Sequence, residues 1–459
     1  MDSIRTSIAE GDIKPGTLLP PTRELAIQLS VSRDTVVKAY AELVRLSLVH
    51  VLSTRGYAVS DHERTETKNT GTKTAPFAEE RISRYGRDLL SSKKNYPVAA
   101  DFSALNYGGP PLQLLPIRKW KEQMQAHAAG LATLNHTPEV LGREELRRAI
   151  ATFLLRFKHI QVKTTEVIVF NSTFAATNLL CRLLLNPGES IAVEEPGFGG
   201  VRNIAQTLGL KVVPIPVDEH GISVDSLSSQ TEDIRLVYVT PNHQEPTGCR
   251  LALARRTALI DWARHKNAWI IEDDFNGFFN YGNANFPALR ALDQRVIYLA
   301  TFWKLLYPLT SIGFCVVPQA LLSLIATTKV ETEGISETIT QLSLATLIDA
   351  GYLEKHIRRL RTIYRNRRQR LIYCLKSAFG KDIEITGEAG TECYIRLAIA
   401  SQDDVLDAAL KARLPLISSD AHYLQKPESS AFLVDFSVLE EDEILVKVNA
   451  FSKALKESR

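Results

Sequence analysis

Lys304 ends the run Val296–Lys304 (VIYLATFWK), and Asp273 ends the run Trp269–Asp273 (WIIED). A lone amine delivered by an apolar strand can condense with an aldehyde. A carboxylate at the end of the preceding strand can pair with a protonated ring nitrogen on the far side of the same molecule. One strand and one connection separate the two residues, which suits a route around a flat ring. Taken singly, a strand-end lysine is usually a solvated charge, and Asp273 with Asp274 could cap a following helix. The fully apolar strand before Lys304, and the aspartate strand before that, favour the chemical reading of the lysine.

The surrounding pattern supplies elements to position such groups. Apolar runs at Val167–Phe170, Ile191–Val193, Val212–Ile215, Leu236–Thr240, Trp269–Glu272, Val296–Thr301 and Ile312–Val317 alternate with helical stretches at Ala175–Leu185 and Leu251–His265. Few polar positions interrupt the strands, which predicts a mostly parallel sheet covered on both faces. After Pro318 helices dominate. Short strands follow near Cys393–Leu397 and Ala431–Phe436, then a last helix from Glu440, which together read as a smaller α+β domain. No internal repeat is visible, and no GxGxxG follows a strand, so a dinucleotide fold has no support.

Bulk properties bound the rest. With 459 residues, 23% charged and 45% hydrophobic, the chain can bury a core and divide into about three domains. A net charge of +3 does not by itself argue for nucleic acid. The five cysteines (Cys181, Cys249, Cys315, Cys374, Cys393) show neither CxxC nor metal spacing, and read as small buried residues in a reducing compartment. With no signal peptide and no long charge-free apolar run, the expectation is a cytoplasmic protein without a membrane segment.

The first sixty residues read differently. Thr22 is placed to cap a helix carrying Leu25, Ala26 and Leu29 on one face. Ser30–Val31 makes a tight turn. Ser32 caps a second helix with Val36, Val37 and Tyr40 inward, leaving Arg33, Asp34, Thr35 and Lys38 outward on its first turns. Such residues can meet base edges and phosphates. Ser53–Val59 reads as a β-wing with Arg55–Gly56 at its tip, where an arginine reaches a minor groove or a phosphate. Basic residues barely outnumber acidic ones here, which is the best support for the rival reading, a three-helix protein–protein module. Their placement favours DNA. Residues 61–95 are polar and mixed in charge, the composition of a linker.

Residues 10–60 resemble the winged helix of the GntR family, through Pro15–Gly16, Leu19–Pro20, Arg23, Leu25–Ala26, Val31–Arg33, Thr35–Val36 and the wing. From about residue 100 the chain resembles fold type I aminotransferases, most densely at Val239–Gly248 (VTPNHQEPTG), Ala254–Arg256, Trp269–Asp274 and Val296–Lys304. The combination is that of the MocR subgroup of GntR regulators. The implied architecture is an α+β winged helix-turn-helix (1–60), the linker (61–95), an α/β fold type I transferase-like large domain (96–335), and a long helix with a small α+β domain (336–459). The implied cofactor is pyridoxal 5′-phosphate. Lys304 would take its aldehyde and Asp273, the first of the aspartate pair, its pyridine nitrogen. Thr301, Ser172 and Thr173 would serve its phosphate, and His243 would touch the ring. The implied DNA-contacting residues are Arg23, Ser32, Arg33, Thr35, Lys38 and Arg55. No metal site is expected. The implied partners are an operator, a small-molecule effector and a second copy paired head to tail.

The departures from the family cluster in the pocket. The Ser/Thr–Gly–x–Gln phosphate turn becomes Asn171–Phe174, with Ser172 at the glycine position and Phe174 at the glutamine position. The phosphate arginine seven residues past the lysine is Ser311, and the serine before the lysine is Trp303. Phe275 replaces the tyrosine that bonds the cofactor's phenol oxygen, and Phe198 replaces the stacking tyrosine. The region of the substrate-carboxylate arginine, Lys426–Phe436, holds no arginine, and the Ala–Gly–Leu–His segment is Ala389–Glu392. Without a guanidinium fork an α-carboxylate is poorly gripped, so standard amino-acid transamination is not expected. Two other readings stay open: a regulator whose degenerate pocket no longer binds the cofactor, and a true aminotransferase with a DNA-binding appendage. The helix around Lys355–Arg370 presents many arginines, read mainly as a solvated face and alternatively as a second DNA contact.

Overall fold

A computed structural model describes residues 2–10, 12–52, 56–60, 82–83, 86–87, 109–133, 139–282, 286–334, 336–398, 401–425 and 429–457. The chain divides into two units, Met1–Arg81 and Ile82–Arg459. Most of the 61–95 segment, and Arg55 at the wing tip, lie outside the described residues.

The N-terminal unit holds helices Asp2–Glu10, Thr22–Gln28 and Arg33–Arg45, then β1 (Val49–Leu52) and β2 (Gly56–Val59), paired antiparallel with Val49 opposite Val59. Leu19, Ala26, Val36, Tyr40, Leu43, Val49 and Val59 form its core. The Tyr40 hydroxyl donates to Pro20 O at 2.8 Å, tying the third helix to the segment before the second. Ser30 turns the chain at φ 54°, and Ser32 Oγ accepts from Thr35 N at 3.1 Å, as a cap should. Three expectations fail here. Thr22 starts its helix after Pro21 and makes no side-chain cap bond. Val37 is exposed, because the buried stripe Val36–Tyr40–Leu43 follows the 3.6 period and its neighbour turns about 100° away. Leu29 is also exposed, sitting at the helix C-cap beyond the last buried turn.

The larger unit is built on an eight-stranded sheet. Its strands are β3 (Val167–Phe170), β4 (Ser190–Glu195), β5 (Lys211–Asp218), β6 (Gly221–Ile222), β7 (Ile234–Val239), β8 (Trp269–Asp273), β9 (Ile297–Thr301) and β10 (Gly313–Val316), in the order β3-β10-β9-β8-β7-β4-β5-β6. The run β9-β8-β7-β4-β5 is parallel; β10 runs against both its neighbours, and β6 against β5. The sheet is therefore mixed at both edges. Every residue of β3, β9 and β10 is buried, as expected for strands covered on both faces. Helices Thr173–Leu184 and Leu322–Thr332 pack on one face, and Glu144–Phe153 and Thr338–Asp349 contribute to the core on the other.

The long helix Tyr352–Phe379 leads to a second sheet of β11 (Ile383–Thr386), β12 (Glu392–Leu397), β13 (Leu416–Ser418) and β14 (Ala431–Asp435), ordered β11-β12-β14-β13 and wholly antiparallel. The helices Gln402–Lys411 and Glu443–Glu457 cover it, the last starting three residues later than Glu440. The long helix buries Ile357, Leu360 and Tyr364 as its period demands. Its arginines are not all on an outer face. Arg361 bonds Phe278 O, Arg367 bonds Ser437 O and Glu440, and Arg368 bonds Gly387 O, whereas Arg358, Arg359 and Arg365 are exposed. Cys181, Cys315, Cys374 and Cys393 are buried and Cys249 half-buried, all as free thiols. Among the described residues no helix is long and apolar enough to cross a membrane.

Candidate functional site

Asp273 is the last residue of β8, and Tyr238 lies on the adjacent strand β7. The Tyr238 hydroxyl donates a short hydrogen bond to Asp273 Oδ2. Asp273 Oδ1 is buried and has no hydrogen-bond partner among the described residues. Burial pushes this carboxyl up to about 7, against the pull of the Tyr238 bond. The neighbouring Asp274 is differently placed. Lys158 Nζ at 2.8 Å, Asn242 Nδ2 at 2.8 Å and the Tyr298 hydroxyl occupy its oxygens. A turn, not a helix, follows the pair, so neither aspartate is a helix cap.

Strand β9 stops at Thr301, and Lys304 sits in the short helix Trp303–Leu306 beyond it. Thr301 Oγ1 accepts from Trp303 N at 3.0 Å and so anchors the turn that carries the lysine. The lysine amine is buried and donates to Glu392 Oε1 at 2.7 Å and to Thr391 Oγ1 at 3.3 Å. Burial alone would lower the Lys304 pKa, but Glu392 and Asp435 outweigh it and the net shift is upward. For Glu392, burial works to raise the carboxyl, yet Lys304 and His243 hold it below its ordinary value.

His243 is buried, with Nε2 4.0 Å from Glu392 Oε2 and its ring 5.4 Å from that of Phe275. Burial pushes the imidazole down, towards the neutral form, and Nδ1 has no hydrogen-bond partner among the described residues. The chain passes this ring at Gly390, at φ +84°, where a Cβ would collide with the imidazole. Only glycine therefore suits the step into β12. Phe275, two residues after Asp273, stands between the other two groups: its ring lies 5.9 Å from Lys304 Nζ and 5.4 Å from the His243 ring.

The region expected to receive a phosphate is built differently. Ser172 Oγ caps the helix Thr173–Leu184 by accepting from Ala175 N at 3.1 Å. Ser311 Oγ donates to Asn171 O at 3.0 Å. Asn171 N donates to Glu333 Oε1 at 2.6 Å, and Glu333 pairs with buried Lys329 at 3.0 Å. A carboxylate thus stands beside the helix start, where the family resemblance implies an arginine. Phe198 lies against Tyr238 and Phe174, with ring centroids 6.4 and 5.4 Å away.

The structure thus places Lys304 and His243 beside the Phe275 ring, two residues after Asp273, keeps Thr301 in the turn that carries the lysine, and puts Ser172 and Thr173 at a helix start. In the other unit Arg23, Ser32, Arg33, Thr35 and Lys38 are all exposed. Ser32 and Thr35 are bonded to each other through their hydroxyls at 2.8 Å. Sequence reasoning missed Tyr238, Asp435 and Glu333, and saw Glu392 only as a departure from the family. Tyr238 carried a usable signal, a lone hydroxyl within an apolar strand just before Thr240–Pro241. Glu333 had none.

A capped, basic helix with a β-wing, in one chain with a lysine–aspartate pocket on a fold type I sheet, defines a class: a DNA-reading head on an aminotransferase-like body. Residues 1–59 match the gntR family of bacterial regulatory proteins, and residues 101–454 match the class I and II aminotransferases. The chain is 31% identical to the "Probable rhizopine catabolism regulatory protein MocR" of Rhizobium meliloti, covering 88% of this chain and 82% of that one. It is 32% identical to the HTH-type pyridoxine biosynthesis transcriptional regulator PdxR of Corynebacterium glutamicum, covering 80% and 76%. The fold matches that of the kynurenine aminotransferase of Pyrococcus horikoshii, with a TM-score of 0.71 at 24% identity over 85% and 98% of the two chains. The chain belongs to the MocR-type transcription regulators of the GntR family.

Aminotransferase-type folds generally bind pyridoxal phosphate. The residues present fit its ring end, since a buried amine faces the Phe275 ring and a buried, half-partnered carboxylate lies two residues before it. At the end where the resemblance implies a phosphate lies the start of the helix Thr173–Leu184, with Ser311 in place of the arginine and Glu333 bonded to Asn171 N.

Proposed function

We propose that the chain is a DNA-binding transcription regulator, not an enzyme, whose pocket holds pyridoxal phosphate and senses an amine-like effector or the cofactor itself. The bound cofactor supplies an aldehyde to the lysine and a ring nitrogen to the aspartate. Lys304 holds it by its amine, Asp273 pairs with the ring nitrogen through Oδ1, and Tyr238 orients that carboxylate. Thr301 fixes the lysine turn, His243 lies beside the ring, and Ser172 and Thr173 serve the phosphate. The observation that carries this reading is Asp273 Oδ1, buried without a hydrogen-bond partner among the described residues and two residues before Phe275, whose ring lies 5.9 Å from Lys304 Nζ. The head (1–60) docks an operator half-site through Arg23, Ser32, Arg33, Thr35, Lys38 and Arg55. The linker (61–95) carries it across a head-to-tail homodimer of bodies (96–335 with 336–459). The effector shifts that dimer between DNA-binding states.

Absorbance titration of the purified protein with pyridoxal phosphate tests the reading. A saturable visible-range change that is lost in Lys304→Ala supports it, and no change in the wild type overturns it. The same titration decides the second reading, a pocket that no longer binds the cofactor, which Ser311 and Glu333 favour. Turnover with a panel of amino donors would revive an aminotransferase.

A further inference from the structure

We infer that Glu392 and Asp435 form a subsite for an organic ammonium, and that the effector is an aliphatic diamine and not an amino acid. This rests on the reading of the pocket as an effector sensor.

The two carboxylates stand directly opposite each other on the antiparallel strands β12 and β14. Directly opposed residues project to the same face, and like charges there repel. Both side chains are more than nine-tenths buried, at 5% and 7% exposure. Asp435 Oδ1 accepts from Ser437 N at 2.8 Å and Ser437 Oγ at 2.6 Å. Asp435 Oδ2 is buried without a hydrogen-bond partner among the described residues. The cation near this strand end, Arg367, bonds Ser437 O and Glu440 instead.

One amine, that of Lys304, therefore serves two carboxylates. It bonds Glu392 at 2.7 Å and acts electrostatically on Asp435. Burial pushes the His243 imidazole towards its neutral form, which lessens what it offers Glu392. A buried acid excess is costly unless a cation or a proton arrives, and Asp435 is pushed up to about 7 by burial first and Glu392 second. An incoming ammonium satisfies Asp435 Oδ2 and neutralises the pair. An α-carboxylate entering the same space would meet two like charges and no arginine among residues 426–436. Both a general amine preference and rejection of carboxylates follow from this one strand pair.

Isothermal titration of the full-length protein, with and without pyridoxal phosphate, tests this with 1,4-diaminobutane, butylamine and 4-aminobutanoate as probes. Diaminobutane is expected to bind at least about tenfold more tightly than either of the others, and Asp435→Asn to weaken it about tenfold or more. Thermal melting checks that the variant folds, and Glu392→Gln carries the same expectation if Asp435→Asn does not. Equal or tighter binding of 4-aminobutanoate or butylamine overturns the inference, as does an unchanged affinity in the folded variant. The cofactor titration, run in parallel, keeps the two claims apart. A cofactor band without diamine binding sinks the subsite alone, and diamine binding without a band sinks the cofactor reading alone.

Discussion

Lys304 Nζ and Glu392 Oε1 lie 2.7 Å apart with both side chains buried, so the lysine of this pocket has a carboxylate partner supplied by the second sheet. The pair joins the lysine turn beyond β9 to the first residue of β12. It also sets how readily the amine gives up its proton.

Glu392→Gln should destabilise the cofactor-free protein by about 1.5–3 kcal/mol, because it removes the carboxylate that the buried ammonium bonds, while Asp435 still acts on that ammonium electrostatically. Denaturant unfolding measures this. The Lys304 pKa is raised and that of Glu392 lowered. The pair's contribution is therefore present between the unfolded pKa values, about 4.3 and 10.4. It is lost as pH falls through the depressed Glu392 value or rises through the elevated Lys304 value. An unfolding free energy unaltered in the variant at neutral pH would refute the role given to the pair.

Tyr238→Phe should weaken cofactor binding by roughly 1–3 kcal/mol, the cost of leaving Asp273 Oδ2 buried and unsatisfied. The absorbance titration reads it directly. Equal affinity in wild type and variant would remove Tyr238 from the site.

Four buried carboxyls, Asp273, Asp435, Glu194 and Glu272, are each pushed up to about 7, in every case by burial first. In the unfolded chain they titrate near 4, so between roughly pH 4 and 7 the folded protein binds more protons. Their contribution to stability therefore falls as pH rises through that window. Cofactor-free protein should melt higher at about pH 5.5 than at about pH 7.5 on this account, and Asp273→Asn should flatten the slope. An identical slope in the variant would show that Asp273 titrates normally.

In the head, Arg33→Ala should weaken operator binding and reduce the salt slope by about one, as expected for loss of one phosphate contact. Ser32→Ala removes the cap on the same helix and should cost about 1 kcal/mol of head stability. Fluorescence anisotropy across a salt series separates the two effects. An unchanged slope for Arg33→Ala would place that side chain off the DNA.

The strands and helices of the large sheet were readable because burial on both faces leaves unbroken apolar runs, as in Val167–Phe170 and Ile297–Thr301. The antiparallel β10 was not, since a central strand shows the same apolar run in either direction. Val37 and Leu29 misled because an apolar residue beside a buried stripe looks like part of it in sequence. No local pattern separates Asp273 from Asp274; in the fold, Lys158, Asn242 and Tyr298 use up the oxygens of Asp274.

By itself the order of residues determined the reading head and pointed to a lysine and an aspartate pair at strand ends, because each rests on short-range pattern: a helix period, a cap, an apolar run with a polar end. Only the tertiary structure decided what faces them. Glu392 lies 88 residues from Lys304, Asp273 35 from Tyr238, and Glu333 162 from Asn171. Contacts at such separations are set by which strands become neighbours, and strand neighbourhood leaves no local trace in a chain.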